Sequence, residues 1–133
     1  MPDPRFNNPP EIHQPRGYTH VVETGPGRTV YIAGQVSMDK DGNLVGANDM
    51  AAQAEQVFKN LQAGLQAVDA TFDNVVKFTV FVTDIGQLPA VREVRDRYVN
   101  VSAPPASTAV QVSSLFRPEY LIEVEAVAWL PAE

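Results

Sequence analysis

The sequence contains no cysteine, which excludes disulfide bonds, thiolate catalysis and cysteine-ligated metal sites. Histidine is almost as scarce. His13 and His20 are the only two, and their spacing is not that of a helical or hairpin metal site. We therefore expect no bound metal.

Basic residues are also few. Ten lysines and arginines stand against 16 aspartates and glutamates, so the formal net charge is -6, and the basic residues form no run. Affinity for nucleic acid depends largely on cationic groups that displace phosphate counterions, so this charge disfavours a polynucleotide partner. It disfavours an anionic membrane surface for the same reason.

Long apolar stretches are missing as well. No segment approaches the roughly twenty apolar residues that cross a bilayer, and residues 1–10 lack the apolar core of a signal peptide. We therefore expect a cytoplasmic protein without a membrane partner. The length of 133 residues and the hydrophobic fraction of 44% predict one globular domain over residues 1–133, with the proline-rich residues 1–15 as a loose N-terminal arm.

Hydrophobic periodicity divides the chain into five strand-like and two helical segments. Asn48 or Asp49 can cap the first helix, and Asp84 can cap the second. The predicted segments are a strand over 18–23, a strand over 29–36, a helix over 48–69, a strand over 75–83, a helix after Asp84 that reaches Tyr98, and strands over 105–112 and 121–129.

This order predicts an α+β domain with both helices on one face of a single sheet. The first two strands are expected to pair as a hairpin. In the second helix, Arg92, Arg95 and Arg97 alternate with acidic residues and are expected to face solvent. Two helices cover only one face of the sheet, so we expect self-association to cover the other.

The last strand carries two carboxylates, Glu123 and Glu125, two residues apart in apolar sequence. The strand period of two points both at the same face. Burial of an unpaired carboxylate is costly or forces it to take up a proton. Two interpretations are open: a solvated strand face, or acids placed there for binding or catalysis.

Five segments of the chain form a pattern in a fixed order and spacing. They are Gly-Tyr-Thr-His at 17–20, Val-Tyr-Ile-Ala-Gly-Gln at 30–35, Ala-Gln-Ala-Glu-Gln-Val-Phe-Lys-Asn-Leu at 52–61, Val-Val-Lys-Phe-Thr-Val-Phe-Val-Thr-Asp at 75–84 and Ile-Glu-Val-Glu-Ala-Val-Ala at 122–128. Together they resemble the reactive intermediate deaminase family, also called the RidA, YjgF or L-PSP family. The resemblance implies a chorismate-mutase-like α+β fold, assembled as a homotrimer around a central barrel with ligand clefts between subunits.

The resemblance also implies a cofactor-free hydrolase that converts imines or enamines to keto acids and ammonia. In such enzymes an arginine binds the substrate carboxylate with a two-pronged hydrogen bond. A glutamate on the final strand and a main-chain carbonyl position the attacking water, and a tyrosine helps to close the cleft. Glu123 matches the glutamate and Tyr18 the tyrosine, but Ser107 stands where the arginine is expected.

Other positions of the matched cleft also depart from the common family residues. Ala33 replaces a frequent serine, Gly86 a frequent asparagine and Ala109 a frequent cysteine. Gly34 is expected to allow a close approach of the backbone, for a turn or for a ligand. Gln111 should point the same way as Ala109, toward a ligand or a subunit boundary. We predict that all five line the ligand site.

The missing arginine changes the expected ligand. Two charge-assisted hydrogen bonds of about 1.5 to 3 kcal/mol each would strengthen carboxylate binding roughly a hundredfold or more. We therefore expect a neutral or cationic ligand, or one whose anionic end is held elsewhere. Arg117 and Arg16 are the candidate replacements, although arginine is usually a surface residue.

Three functions are open at this point. The first is hydrolysis of an imine or enamine, which the retained Glu123 favours. The second is a non-catalytic binding or regulatory homotrimer, which the absent arginine at Ser107 favours. The third is an endoribonuclease or translation inhibitor, which follows from names attached to the family and which the acidic charge makes the weakest.

Overall fold

The computed structural model describes residues 4–133, so residues 1–3 of the predicted arm lie outside the described part. Two short 3₁₀ turns, Phe72–Asn74 and Ile85–Gln87, accompany the longer elements. The strands and helices are β1 (Arg5–Asn7), β2 (Val21–Glu23), β3 (Gly27–Gln35), α1 (Met50–Gln66), β4 (Val75–Val82), α2 (Leu88–Arg95), β5 (Ala106–Gln111) and β6 (Ile122–Pro131).

Four strands form the main sheet, in the order β3-β6-β4-β5. β4 and β5 run parallel, and the other neighbours are antiparallel. α1 and α2 pack together on one face of this mixed sheet, and the buried core lies between them and the strands. The predicted α+β fold is confirmed. Within the described residues, no helix is long and apolar enough to cross a membrane.

The predicted hairpin between the first two strands is wrong. β2 pairs instead with β1 in a separate two-stranded sheet, and β3 pairs with β6. The pairing with β6 is the longer ladder, since it runs from Gly27 opposite Pro131 to Gln35 opposite Val124. Trp129 Nε1 adds a hydrogen bond of 3.1 Å to Gly25 O, which fixes the turn before β3 to β6.

Capping side chains set where the helical segments begin. Asp49 Oδ1 accepts a hydrogen bond of 3.0 Å from Ala52 N at the start of α1, as predicted for one of two candidates. Asp84 does not cap α2. Its Oδ1 accepts from Gly86 N at 3.0 Å and so caps the 3₁₀ turn, which delays the start of α2 to Leu88.

The segment after α2 is tied to α1 by a polar contact. Tyr98 OH donates a hydrogen bond of 2.7 Å to Glu55 Oε1, and Arg97 Nη2 donates to Oε2 of the same carboxylate at 2.9 Å. Burial, together with the hydrogen bond to Glu55, raises the pKa of Tyr98 to about 12. The hydroxyl therefore stays protonated at neutral pH and keeps donating.

A buried glutamine connects α1 to the loop that precedes β6. The side chain of Gln53 is fully buried, and its Nε2 donates to Gly46 O at 3.1 Å and to Glu119 O at 3.0 Å. Its Oε1 accepts from Leu121 N at 2.8 Å. These bonds fix the start of β6 and therefore the position of Glu123, two residues from Leu121.

Replacing Gln53 tests this connection. We expect Gln53→Ala to lower the free energy of unfolding by about 2–4 kcal/mol, because three backbone groups lose their buried partners. Gln62→Ala, an exposed change on the same helix, should stay within about 0.5 kcal/mol. Urea unfolding followed by circular dichroism measures both variants, and equal losses in the two would contradict the proposed role of Gln53.

Candidate functional site

Glu123 and Glu125 lie on the face of the sheet that the helices leave uncovered. In the antiparallel ladder Glu123 is opposite Phe81 and Glu125 is opposite Thr79. On the same strand, Phe78 lies one residue before Thr79 and three before Phe81, and its side chain is buried under the helices. Because side chains alternate along a strand, both glutamates point away from the helices, as predicted. Glu123 is half-buried and Glu125 is exposed.

A bulge in β3 receives the carboxyl group of Glu123. Ile32 pairs with Ala126 and Gln35 with Val124, so β3 holds one more residue than β6 over this interval. A Cβ at Gly34 would overlap the Glu123 carboxyl group, and even Cδ would lie only 2.8 Å away. The absent side chain at Gly34 therefore gives the carboxylate its place beside the backbone.

The backbone beside this carboxylate is itself held in position. Gln35 Nε2 donates a hydrogen bond of 3.0 Å to Ala33 O. Glu123 of β6 therefore lies beside Ala33 and Gly34 of β3 in the folded structure. Sequence reasoning did not select Gln35 or the bulge, because an extra residue in one strand is visible only against its partner strand.

Ser107 and Ala109 lie on the other face of the sheet. Ser107 is opposite Phe78 and Ala109 is opposite Val80 in the parallel ladder, and both partners belong to the buried core. Ser107 and Ala109 line a cavity of about 190 Å³ between edge strand β5, α2 and the loop before β2. Tyr18 lines the same cavity.

Three arginines surround this cavity, although none comes from β5. Arg16, Arg92 and Arg95 line it, and no aspartate or glutamate of the described residues does. The predicted outward orientation of Arg95 is wrong, since its side chain is only 11% exposed. Gly17 makes room for it: a Cβ there would lie 2.9 Å from Arg95 Nη2.

Tyr18 is held by the loop that precedes β2. His13 Nε2 and Tyr18 OH are hydrogen-bonded at 2.9 Å, and the Tyr18 ring meets His20 edge to face with 5.3 Å between centroids. Within residues 4–133, no three histidine, aspartate or glutamate side chains cluster closely enough to hold a metal ion.

The remaining predicted site residues lie apart from both groups. Gln111 Oε1 accepts a hydrogen bond of 2.9 Å from Ile85 N, so its amide joins the end of β5 to the 3₁₀ turn that contains Gly86. Arg117 is exposed, and its guanidinium carbon lies 5.5 Å from the centre of the Phe116 ring. Arg117 does not line the cavity beside Ser107.

The fold and these two places define a small α+β protein with a glutamate on an open sheet face and an arginine-lined cavity at a sheet edge. The family model described as "Endoribonuclease L-PSP" matches residues 10–130. The chain belongs to this family, whose solved members include proteins named Rid.

Two relatives show the range of the similarity. Protein DfrA of Myxococcus xanthus is 39% identical over 84% of this chain and 83% of its own length. The human 2-iminobutanoate/2-iminopropanoate deaminase is 40% identical over 76% of this chain and 72% of its own length.

Solved structures agree with the fold. The Rid-family protein YyfB of Yersinia pestis has a TM-score of 0.85 at 35% identity and covers 96% of this chain and 99% of its own. RidA of Psychrobacter sp. has a TM-score of 0.71 at 34% identity, with 85% and 88% covered. The predicted family is therefore confirmed.

The fit between Gly34 and Glu123 can be tested by a double-mutant cycle. We expect Gly34→Ala to lower the free energy of unfolding by about 1–3 kcal/mol, because the new methyl group displaces the carboxylate. In a Glu123→Ala background most of this cost should vanish. Urea unfolding of the four proteins measures the coupling, and an equal cost of Gly34→Ala in both backgrounds would show that Glu123 is not the group displaced.

Proposed function

We propose that this protein is a cofactor-free hydrolase of the imine or enamine deaminase type, acting on a reactive small metabolite. The observation that carries this proposal is the Glu123 carboxylate, held against the bulge at Gly34 on the open sheet face. The human relative that is named an iminobutanoate and iminopropanoate deaminase supports the class of reaction.

Glu123 supplies the proton transfers that imine hydrolysis requires. Its carboxylate accepts a proton from water while the water oxygen bonds to the imine carbon, and it then donates this proton to the nitrogen, which gives a neutral carbinolamine. Glu123 then takes the hydroxyl proton of this carbinolamine and delivers it to the amine nitrogen, so that ammonia leaves as the carbon–nitrogen bond breaks and the carboxylate is regenerated. The products are a carbonyl compound and ammonia, and neither electrons nor a cofactor enter the balance.

The cleft is shared between copies of the chain. Glu123 and Ser107 lie on opposite faces of one sheet, so a single copy does not bring them together. We assign Glu123, Ala33 and Gly34 to one side of the cleft, and Tyr18, Ser107 and Ala109 of a neighbouring copy to the other. Gly86, Gln111 and Arg117 stay predictions for its rim.

Exposed apolar side chains on the open face support this self-association. Tyr31 is 79% exposed and Val110 is 39% exposed, and both share the face of Glu123 in the strand ladders. Exposed apolar side chains on a sheet face that no helix covers fit a contact with another copy of the chain. The homotrimer that the family resemblance implies would cover them.

A non-catalytic binding protein is the second candidate, because Ser107 replaces the arginine expected to orient the substrate. The two functions differ in what the loss of Glu123 does. Catalysis requires its carboxylate for turnover, whereas a binding protein has no turnover to lose.

The test uses 2-iminobutanoate, generated in situ from threonine by a dehydratase, with ammonia release measured above the spontaneous rate. We expect the wild type to accelerate release and Glu123→Gln to reduce kcat by about a hundredfold or more. Binding of the product 2-oxobutanoate should be preserved. Glu125→Gln, the matched change on the same face, should stay within about twofold. A wild type that binds 2-oxobutanoate without accelerating release would support the binding protein instead.

A further inference from the structure

The cavity beside Ser107 combines positive charge with an apolar wall. Its polar lining comes from Arg16, Arg92 and Arg95, together with Ser107 and Tyr18. Five apolar side chains form the rest of the wall, namely Phe58, Val80, Leu88, Val91 and Ala109. The volume of about 190 Å³ is below the roughly 300 Å³ at which sites for drug-sized ligands begin. The cavity therefore suits an anion of a few heavy atoms with a short apolar chain.

Arg95 is the arginine placed to bind such an anion. Its Nε and Nη2 donate to Asp96 Oδ1 at 3.2 and 2.9 Å, which fixes the plane of the guanidinium. Nη1 makes no hydrogen bond to any residue in the described range 4–133. Because the side chain is mostly buried, it loses little further conformational freedom when it binds a ligand.

The surroundings of Arg95 favour an anion over a neutral ligand. Asp96 compensates one guanidinium, whereas Arg16 and Arg92 add two more charges at the same cavity. Both are exposed, so solvent weakens their mutual repulsion, but together they make the electrostatic potential at the cavity positive, which favours an anion. A guanidinium also matches the geometry of a carboxylate better than any other side chain does.

We propose that Arg95, with Arg16 and Arg92 beside it, binds the carboxylate of a small imino acid and replaces the arginine absent at Ser107. The identity of the ligand as an imino acid rests on the proposed function, but the anion site itself rests on the cavity alone. Of the ligand classes left open by the sequence, this selects the one whose anionic end is held elsewhere. The apolar wall then contacts a short alkyl side chain.

The test compares an acid with its neutral amide. Calorimetric titration with 2-oxobutanoate and with 2-oxobutanamide should show a preference of tenfold or more for the acid in the wild type. Arg95→Gln should remove this preference, and Arg95→Lys should restore part of it because the charge is kept. Arg28→Gln removes the same charge from an exposed position on β3 and should leave the preference unchanged.

Partial burial of Arg95 calls for a second variant. Arg92 is exposed, so Arg92→Gln should fold normally and still weaken the acid several-fold relative to the amide. Thermal unfolding of each variant separates lost binding from lost structure. Equal affinity of the wild type for acid and amide, or an unchanged preference in folded Arg95→Gln, would overturn the proposal.

The same experiments separate this inference from the proposed function. Selective, Arg95-dependent binding of 2-oxobutanoate without turnover of 2-iminobutanoate would uphold the anion site and reject the hydrolase. Glu123-dependent turnover that ignores Arg95→Gln would uphold the hydrolase and reject the anion site.

Discussion

The alternation of side chains across β4, β5 and β6 is the constraint on which the site depends. Phe78 faces the core, and so does Ser107, its partner in β5. Phe81, three residues further on, faces the other way beside Glu123. A change of register by one residue would expose the core, so neither side chain can change face while the fold persists. An acid and a cavity on opposite faces can act on one ligand only if two copies of the chain meet.

The two sides of this arrangement are built by different means. On the open face, an extra residue in β3 and the absent side chain of Gly34 give the Glu123 carboxylate its place. At the sheet edge, Gly17 leaves space for Arg95 of α2. The cavity therefore has a positively charged side chain in its wall, although β5 contains no charged residue. The close approach of Glu123 accounts for the glycine at position 34, whereas Gly17 has a φ of 78°, a conformation that favours glycine whatever lies against it.

Local periodicity predicted most of the elements but few of the contacts between them. In α1 and β6 the burial of one face requires apolar residues at a regular spacing. This spacing is visible in the sequence, so both elements can be predicted from it. The sequence does not predict that β2 pairs with β1, because Arg5–Asn7 has no strand-like pattern and its pairing depends on the rest of the fold. The predicted outward orientation of Arg95 was the error with the largest consequence for the site. Arg95 lies four residues after the buried Val91, a helical spacing that indicates the inner face, but its charge suggested the outer one.

If Glu123 of one copy serves the cavity of another, two inactive variants that lack different halves of the cleft should complement each other. Glu123→Gln lacks the acid, and Ser107→Phe fills the cavity, so each variant alone should be inactive toward 2-iminobutanoate. An equal mixture, unfolded and refolded together, should recover about a quarter of the wild-type turnover, because random assembly pairs an intact acid with an intact cavity at that frequency. A mixture that stays as inactive as its components, although size-exclusion chromatography shows mixed assemblies, would contradict it.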